Sequence, residues 1–432
     1  MRAGLSASDI IMTLEARIAS LARQRATAVS LRDLFRYGSK PSPSMRLQNA
    51  LFLQKELPIR MAQRVEELKT LPFGLHQSRP IVQVIDWYSE FVDTLTAMPR
   101  LASCSDEEAF TAEIETMLQT PDLVVVMLSS ALLEVGDAGA TRSQQVSFLQ
   151  SVFDRFFTAR IGLRFLMEHH INSGHTQPDG WSGVIQANFN PADVIQDAVH
   201  DATRLCEDEF GMAPEVCIRM ASVEDTPSKI RNSRLTSVPS HLHFICTELV
   251  KNAMRATTTR HRGAPTLPPV TLTAAFGSDS LGVRISDEGG GLSLAELEKA
   301  WRYAYTTAPT PLIELDESRT NHPPQMLRRS ALAGYGMGLP LSRLYARYLG
   351  GRLDLRSLEG HGTDCFLHLA RLGAACETLP AMVQVSPAER ESTHESMQDA
   401  TPRRDYAVAG LSEYEHAVLS TKLAEVRHRG EG

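Results

Sequence analysis

The stretch His241–His261, HLHFICTELVKNAMRATTTRH, constrains this chain more than any other. Residues four apart stack on one face of an α-helix. A helix here therefore brings Glu248 and Asn252 together, with Arg255 three residues further on. The opposite face carries Leu249, Ala253 and Ala256, suited to packing on a sheet. A carboxylate and a carboxamide one turn apart can act on one metal–phosphate group. The amide oxygen of Asn252 suits Mg²⁺, which prefers oxygen ligands and shares its shell with phosphates. Glu248 can accept a proton from a hydroxyl or water aimed at a terminal phosphate. Lys251 and Arg255 can neutralise charge there. Taken alone, the segment reads equally well as an amphipathic surface helix that carries charges.

Two glycine segments change that balance. Asp287-Glu288-Gly289-Gly290-Gly291 follows a predicted strand, and its glycines let the backbone turn through unusual dihedral angles. A carboxylate at Asp287 can accept a hydrogen bond from an adenine amino group. Gly334-Tyr335-Gly336-Met337-Gly338-Leu339 opens a predicted helix, Leu341–Leu349. Backbone N–H groups exposed at a helix N-terminus bind phosphate at the positive end of the dipole. The spacing is only loosely that of a dinucleotide-binding loop, since no strand immediately precedes it and no acidic residue lies at the required distance. The stretch between the two, Leu292–Gly334, is rich in Thr and Pro and reads as a mobile lid. Together these features point to ATP chemistry, and more narrowly to a kinase.

A chain of 432 residues suffices for two or three domains. The net charge of −7 argues against sequence-independent binding to nucleic acid, which needs clustered cations. No apolar run is long enough to span a bilayer. The six cysteines are scattered without a Cys-x-x-Cys pair, so neither a disulfide framework nor a zinc site is supported. Arg2, Arg17, Arg23, Arg25 and Arg32 against Asp9 and Glu15 give the N-terminus the character of a transit peptide. The helical period from Leu14 onward restricts such a leader to residues 1–13.

Residues 14–180 read as successive helices. Leu47–Leu71 is interrupted at Pro58, and Ile81–Leu95, Pro121–Glu134 and Gln144–His170 continue the pattern. Four long helices with short connections suggest an antiparallel four-helix bundle. His175–Gly183 reads as a boundary loop. Within residues 185–372 the pattern predicts helices at Asp193–Phe210 and Ser240–Thr259 and a strand at Glu215–Met220. Further strands are predicted at Val270–Phe276, Leu281–Ser286, Leu353–Ser357 and Asp364–Leu369. This order implies a two-layer α/β sandwich. Residues 373–432 form a polar tail, with one further helix predicted at Leu411–Arg427.

The motifs, in order, resemble the nucleotide-binding fold shared by histidine kinases, Hsp90, MutL and type II topoisomerases. Glu-x-x-x-Asn matches the first motif, Asp-x-Gly-x-Gly the second, Gly-x-Gly-x-Gly the third, and Gly360-x-Gly362-Thr363 the last. Over residues 14–372 the chain resembles a narrower family, the mitochondrial 2-oxoacid dehydrogenase kinases, which comprise the pyruvate dehydrogenase kinases and their branched-chain relative. The segments that carry this are TELVKNAMRATTTRH, ISDEGGGL, YTTAPTP, GYGMGLPLSRLYARYLGG and LEGHGTD. In the helical half they are VSLRDLFRYGSKPSP, FLQKELPIRMAQRVEELKTLPFGL and FLQSVFDRFFTARIGLRFLMEHHI.

The resemblance implies a kinase that uses Mg-ATP to phosphorylate and inactivate the E1 component of a dehydrogenase complex in the mitochondrial matrix. YTTAPTP favours the pyruvate enzyme, Phe244 fits the branched-chain enzyme equally well, and the long match GLPLSRLYARYLGG tips the balance toward pyruvate, with the branched-chain kinase as the alternative. Glu248 would be the general base and Asn252 the Mg²⁺ ligand. Asp287, with Gly289 and Gly291, would hold adenine. Lys251, Arg255, Thr306, Thr307 and Thr363 would border the nucleotide, and Gly334–Leu339 (Gly334, Tyr335, Gly336, Met337, Gly338, Leu339) would wrap the phosphates. The bundle would bind the E2 lipoyl domain, and the nucleotide domains would pair as a homodimer.

Two departures stand out. The pyruvate enzymes carry a His four residues before the Glu, where this chain has Phe244; His243 and His241 lie five and seven before. The family's tail has an Asp-Trp pair that helps build the dimer, and the nearest match here is Asp405-Tyr406. Competing readings are an autophosphorylating histidine kinase, an ATPase switch of the Hsp90 type, and a non-catalytic ATP-sensing protein docked on E2. No acidic residue directly follows His169 or His170 and no Arg-Thr-Pro segment follows, so both read as structural.

Overall fold

The computed structural model describes residues 13–39, 42–72, 74–119, 123–137, 143–222, 234–277, 280–307, 336–348, 350–370, 377 and 379. The expected leader, the lid between 308 and 335 and the tail beyond 379, with its predicted helix and Asp405-Tyr406, lie outside these residues.

Seven described helices precede residue 181: α1 Leu14–Ala22, α2 Leu31–Gly38, α3 Pro43–Lys69, α4 Arg79–Ala97, α5 Cys104–Gln119, α6 Leu123–Asp137 and α7 Ser143–Asn172. Their starts follow local chemistry. Ser30 and Ser42 accept from the backbone N–H groups of Asp33 and Met45, and Pro43 opens α3 where its missing N–H costs nothing. The predicted break at Pro58 does not occur, because α3 runs unbroken to Lys69. Pro58 is buried, and packing of α3 against α1, α4, α5 and α7 overrides the lost hydrogen bond. The four expected helices are joined by α1, α2 and α5. Leu53, Leu57, Val65, Phe153, Phe156 and Leu166 fill the core between them.

The expected boundary loop is irregular from His175 to Gly180 and ends in a short strand. β1 (Trp181–Ser182) pairs antiparallel with β2 (Ile185–Phe189), and β2 with β4 (Leu235–Ser237). The main sheet has the order β3-β5-β6-β8-β7, with β3 Val216–Ser222, β5 Val270–Phe276, β6 Ser280–Ser286, β7 Arg352–Leu358 and β8 Gly362–Ala370. Only β3–β5 is parallel. Strand alternation sends Leu272, Val283, Ile285, Leu353 and Leu367 to one face, where they meet α8 (Pro191–Phe210) and α9 (Pro239–Arg260). Register Leu272↔Ile285 and Ile285↔Cys365 keeps that face apolar across three strands. Arg284 and His368 point to the other, solvated face.

A short helix α10 (Leu294–Lys299) begins the stretch expected to be a lid, closed by a reciprocal Ser293–Glu296 capping box. The last described helix, α11 (Gly338–Tyr348), starts three residues before its predicted bound. Its Leu341, Leu344 and Tyr348, with Tyr303 and Met337, pack into the core of the helical half. Ala346 of the same helix packs into the sheet core.

Candidate active site

Helix α9 supplies the centre. Leu249, Val250, Ala253 and Met254 are buried against the sheet and α8, which fixes the helix rotation and leaves Glu248 half-buried and Asn252 exposed on the far side. Lys251 Nζ donates to Glu248 Oε1 at 2.5 Å. Both side chains are largely buried, at 8% and 16% exposure. The carboxylate also lies against the first residue of α11, because a Cβ at Gly338 would overlap Glu248 Oε2. This contact seats the positive end of the α11 dipole beside the carboxylate.

The second motif folds onto the same helix. A Cβ at Gly289 would strike Ala256 of α9, one turn beyond Asn252. Ala256 thus lies under the glycine turn, not on the sheet as its position on the wheel suggested. Gly290 and Gly291 have φ of 93° and 67°, in the left-handed region. Asp287 Oδ1 accepts from Gly289 N at 2.8 Å and from Thr363 N at 3.2 Å. Burial raises the Asp287 pKa, and these two N–H groups oppose the rise. Gly290 N donates to His361 O at 3.0 Å, and Gly360 N donates to Gly290 O at 2.7 Å. Thr363 Oγ1 shares a hydrogen bond with Ser357 at 2.9 Å. The second and fourth motifs are one interlocked unit.

The third motif is described from Gly336 onward, while Gly334 and Tyr335 lie outside the described residues. Gly336, at φ 68°, presses against the backbone of Ala304 and Tyr305. Thr306 and Thr307, just beyond, are therefore close in chain to this segment. The Met337 side chain is 3% exposed and packed in the helical core, so only its backbone can face a ligand. Leu339 packs at the edge of the sheet core. Burial lowers the Arg255 pKa, and the charge that opposes this is Glu209 on α8.

Neither neighbouring His meets Glu248. His243 pairs with Asp201 at 3.2 Å. His241 is buried, its ring centroid 4.7 Å from Tyr345, and burial holds its pKa down to about 3. Phe244 also packs on Tyr345, at 4.7 Å. His169 and His170 are 1% and 0% exposed, and burial lowers both pKa values to about 4. In this fold neither is open to a phosphoryl donor.

Sequence reading passed over the residues that tie these loops to the helical half. Tyr303 Oη donates to Asp154 Oδ1 at 2.6 Å, and Gln150 Nε2 donates to Trp301 O at 2.9 Å. The visible signal was a polar pair, Gln150 and Asp154, at helical spacing in the otherwise aromatic face of α7.

Residues 28–186 match the family described as mitochondrial branched-chain alpha-ketoacid dehydrogenase kinase. Residues 237–372 match the histidine kinase-, DNA gyrase B- and HSP90-like ATPases. A mitochondrial [pyruvate dehydrogenase (acetyl-transferring)] kinase of Arabidopsis thaliana is 38% identical over 359 residues, covering 82% of this chain and 93% of its own. Isozyme 4 of the Homo sapiens enzyme is 31% identical over 390 residues, covering 89% and 91%. Human isozyme 1 is 30% identical over 394 residues, covering 89% and 86%.

Proposed function

The chain belongs to the mitochondrial pyruvate dehydrogenase kinase family, and we infer that it is an ATP-dependent protein-serine kinase acting on the E1 component of the pyruvate dehydrogenase complex. The observation that carries this is that one helix, α9, touches both glycine segments, with Glu248 at Gly338 and Ala256 at Gly289. Between those contacts Asn252 is exposed, and Glu248, paired with Lys251, lies one turn before it.

The residues fit ATP. A Cβ at Gly289, Gly291 or Gly336 would strike neighbouring backbone or Ala256, so these glycines let the loops close tightly beside α9 and leave backbone N–H groups for a ligand, and the buried Asp287 carboxylate offers its second oxygen to an adenine amino group. Glu248 accepts the proton of the substrate serine hydroxyl as its oxygen bonds to the γ-phosphorus and the bridging oxygen departs with ADP. Lys251 holds the carboxylate in place during that transfer. Asn252, exposed one turn on, would offer its amide oxygen to Mg²⁺. Bound there, Mg²⁺ would neutralise phosphate charge. Backbone N–H groups at the start of α11 would meet the phosphates, with Thr306, Thr307 and Thr363 bordering the nucleotide.

We assign the helical half, residues 14–180, to docking on an E2 lipoyl domain and residues 185–372 to the kinase domain. The solvated face of the five-stranded sheet, with Thr273, Arg284, Phe366 and His368, supports a homodimer through these domains. The names of the relatives place them in mitochondria, which supports a mitochondrial site for this chain, and an E1 substrate places it in the matrix. No described helix is long and apolar enough to cross a membrane.

The test is incubation of the protein with labelled ATP and purified pyruvate E1 or branched-chain E1, with and without E2. Acid-stable label on pyruvate E1, stimulated by E2, is expected. Label confined to the branched-chain E1 would move the assignment to that relative, whose name the helical half matches. Acid-labile label on the protein itself would overturn it in favour of a histidine kinase.

A further inference from the structure

We propose that Gln150 and Asp154, one turn apart on α7, are positioning residues that set the nucleotide loops from the helical side of the molecule. The proposal rests on the ATP-site reading and deepens it. Two chain segments are involved: Trp301–Thr307, and Gly336–Arg343, which carries the described part of the third motif. Both are fixed to the same turn of α7.

On the first segment, Tyr303 Oη donates to Asp154 Oδ1 at 2.6 Å, while Gln150 donates to Trp301 O at 2.9 Å and accepts from Tyr303 N at 3.3 Å. The Tyr303 ring packs on Phe157 and Phe153, with centroids 5.3 and 5.9 Å apart. On the second segment, Arg343 Nη2 lies 3.6 Å from Asp154 Oδ2. The two segments also meet directly, with the Arg343 guanidinium 4.9 Å above the Trp301 ring and Gly336 against the backbone of Ala304 and Tyr305.

Ala304 is one of two described non-glycine residues with positive φ, at 59°. A conformation of that kind persists where its surroundings over-determine it, and the bonds from α7 flank it on the Trp301–Tyr303 side. Asp154 is the one carboxylate that both segments reach among the described contacts. The second segment begins α11, whose first residue lies against Glu248. A shift of the α7 turn therefore moves the phosphate-facing backbone relative to the base.

The experiment is calorimetric titration of the full-length chain with Mg-ADP, together with ATP kinetics on E1. Asp154→Ala and Tyr303→Phe are each expected to weaken Mg-ADP by about tenfold, within the usual range of coupling between sites. The KM for ATP should rise more than kcat falls. The double variant should be no weaker than Asp154→Ala alone, because both substitutions remove the same bond. Asp154→Asn, which keeps an oxygen for the Tyr303 hydroxyl, should recover part of the affinity. Gln150→Ala carries the same expectation and decides the matter should Asp154→Ala fail to fold. Folded variants that bind Mg-ADP within about twofold of wild type, or effects of Asp154→Ala and Tyr303→Phe that simply add, would overturn the proposal. A wild-type chain that does not bind Mg-ADP would overturn the ATP-site reading itself, a result distinct from the others.

Discussion

Glu248 has two constraints on it, Lys251 at 2.5 Å and the Gly338 backbone, and each suggests a substitution. Glu248→Gln keeps the shape and both neighbours, so Mg-ADP binding should persist while transfer to E1 falls roughly 10²- to 10⁴-fold, the usual weight of a general base. Near-normal turnover of that variant would remove Glu248 from the role. The i, i+4 relation of Glu248 and Asn252 was legible in the sequence because helical geometry is periodic. The partner of Glu248 was not, because side-chain choice among Lys251, His241 and His243 depends on which faces α8 and α11 cover. His241 was on the correct face, yet the fold buries it among the rings of Phe165, Tyr345 and Tyr348. Burial takes its pKa from 6.5 to about 3. Between those values the unfolded chain binds a proton the folded one does not, so stability present above pH 6.5 is lost as pH falls. At about pH 5 this residue alone should cost about 2 kcal/mol. His241→Phe, which keeps a ring in the seam, should show a shallower fall of Tm with acid than wild type, and an unchanged slope would remove His241 as a source of acid lability.

At the level of elements, the expectations failed where packing outweighs local preference. Pro58 reads as a break and sits in an unbroken helix because α3 is enclosed on several sides. The acidic α5 was passed over because its apolar stripe is narrow, with Phe110, Ile114 and Met117 buried among Asp and Glu residues. Nor could pattern show what Arg60 on α3 does. It is 2% exposed, bonded to Glu56 at 2.9 Å and to both oxygens of Glu377 at 2.6 and 2.9 Å. Glu377 lies 317 residues away in sequence and is held again by its N–H to Val29 O at 3.0 Å. This contact closes the chain after β8 onto the helical half. Arg60→Met strands two carboxylates in a buried place and should cost about 3–5 kcal/mol in denaturant unfolding. Adding Glu377→Met should recover part of that loss. A cost below about 1 kcal/mol for Arg60→Met would show that the pair is not structural.

Across the whole molecule, the change from successive helices to a region that contains strands near residue 180 was legible from texture, since the hydrophobic period changes there from helical to alternating. What texture cannot show is that the first core is completed by residues from the second half. Tyr303, Met337, Leu341, Leu344 and Tyr348 are all buried against α7 and its neighbours, and Phe153, Phe157 and Phe165 contact them directly. Unfolding the nucleotide half would expose that aromatic surface, and unfolding the helical half would remove the support of α11 at Glu248. The two halves should therefore melt together. Calorimetry of the full chain is expected to show one main transition for these regions, and Mg-ADP at one hundred times its Kd should raise their stability by about 2.7 kcal/mol as a unit. Asp154→Ala should shrink that nucleotide-induced gain at fixed ADP concentration, since affinity sets it. Two separated transitions, with only one moved by nucleotide, would mean that the shared core does not couple the halves and that α11 answers to the sheet alone.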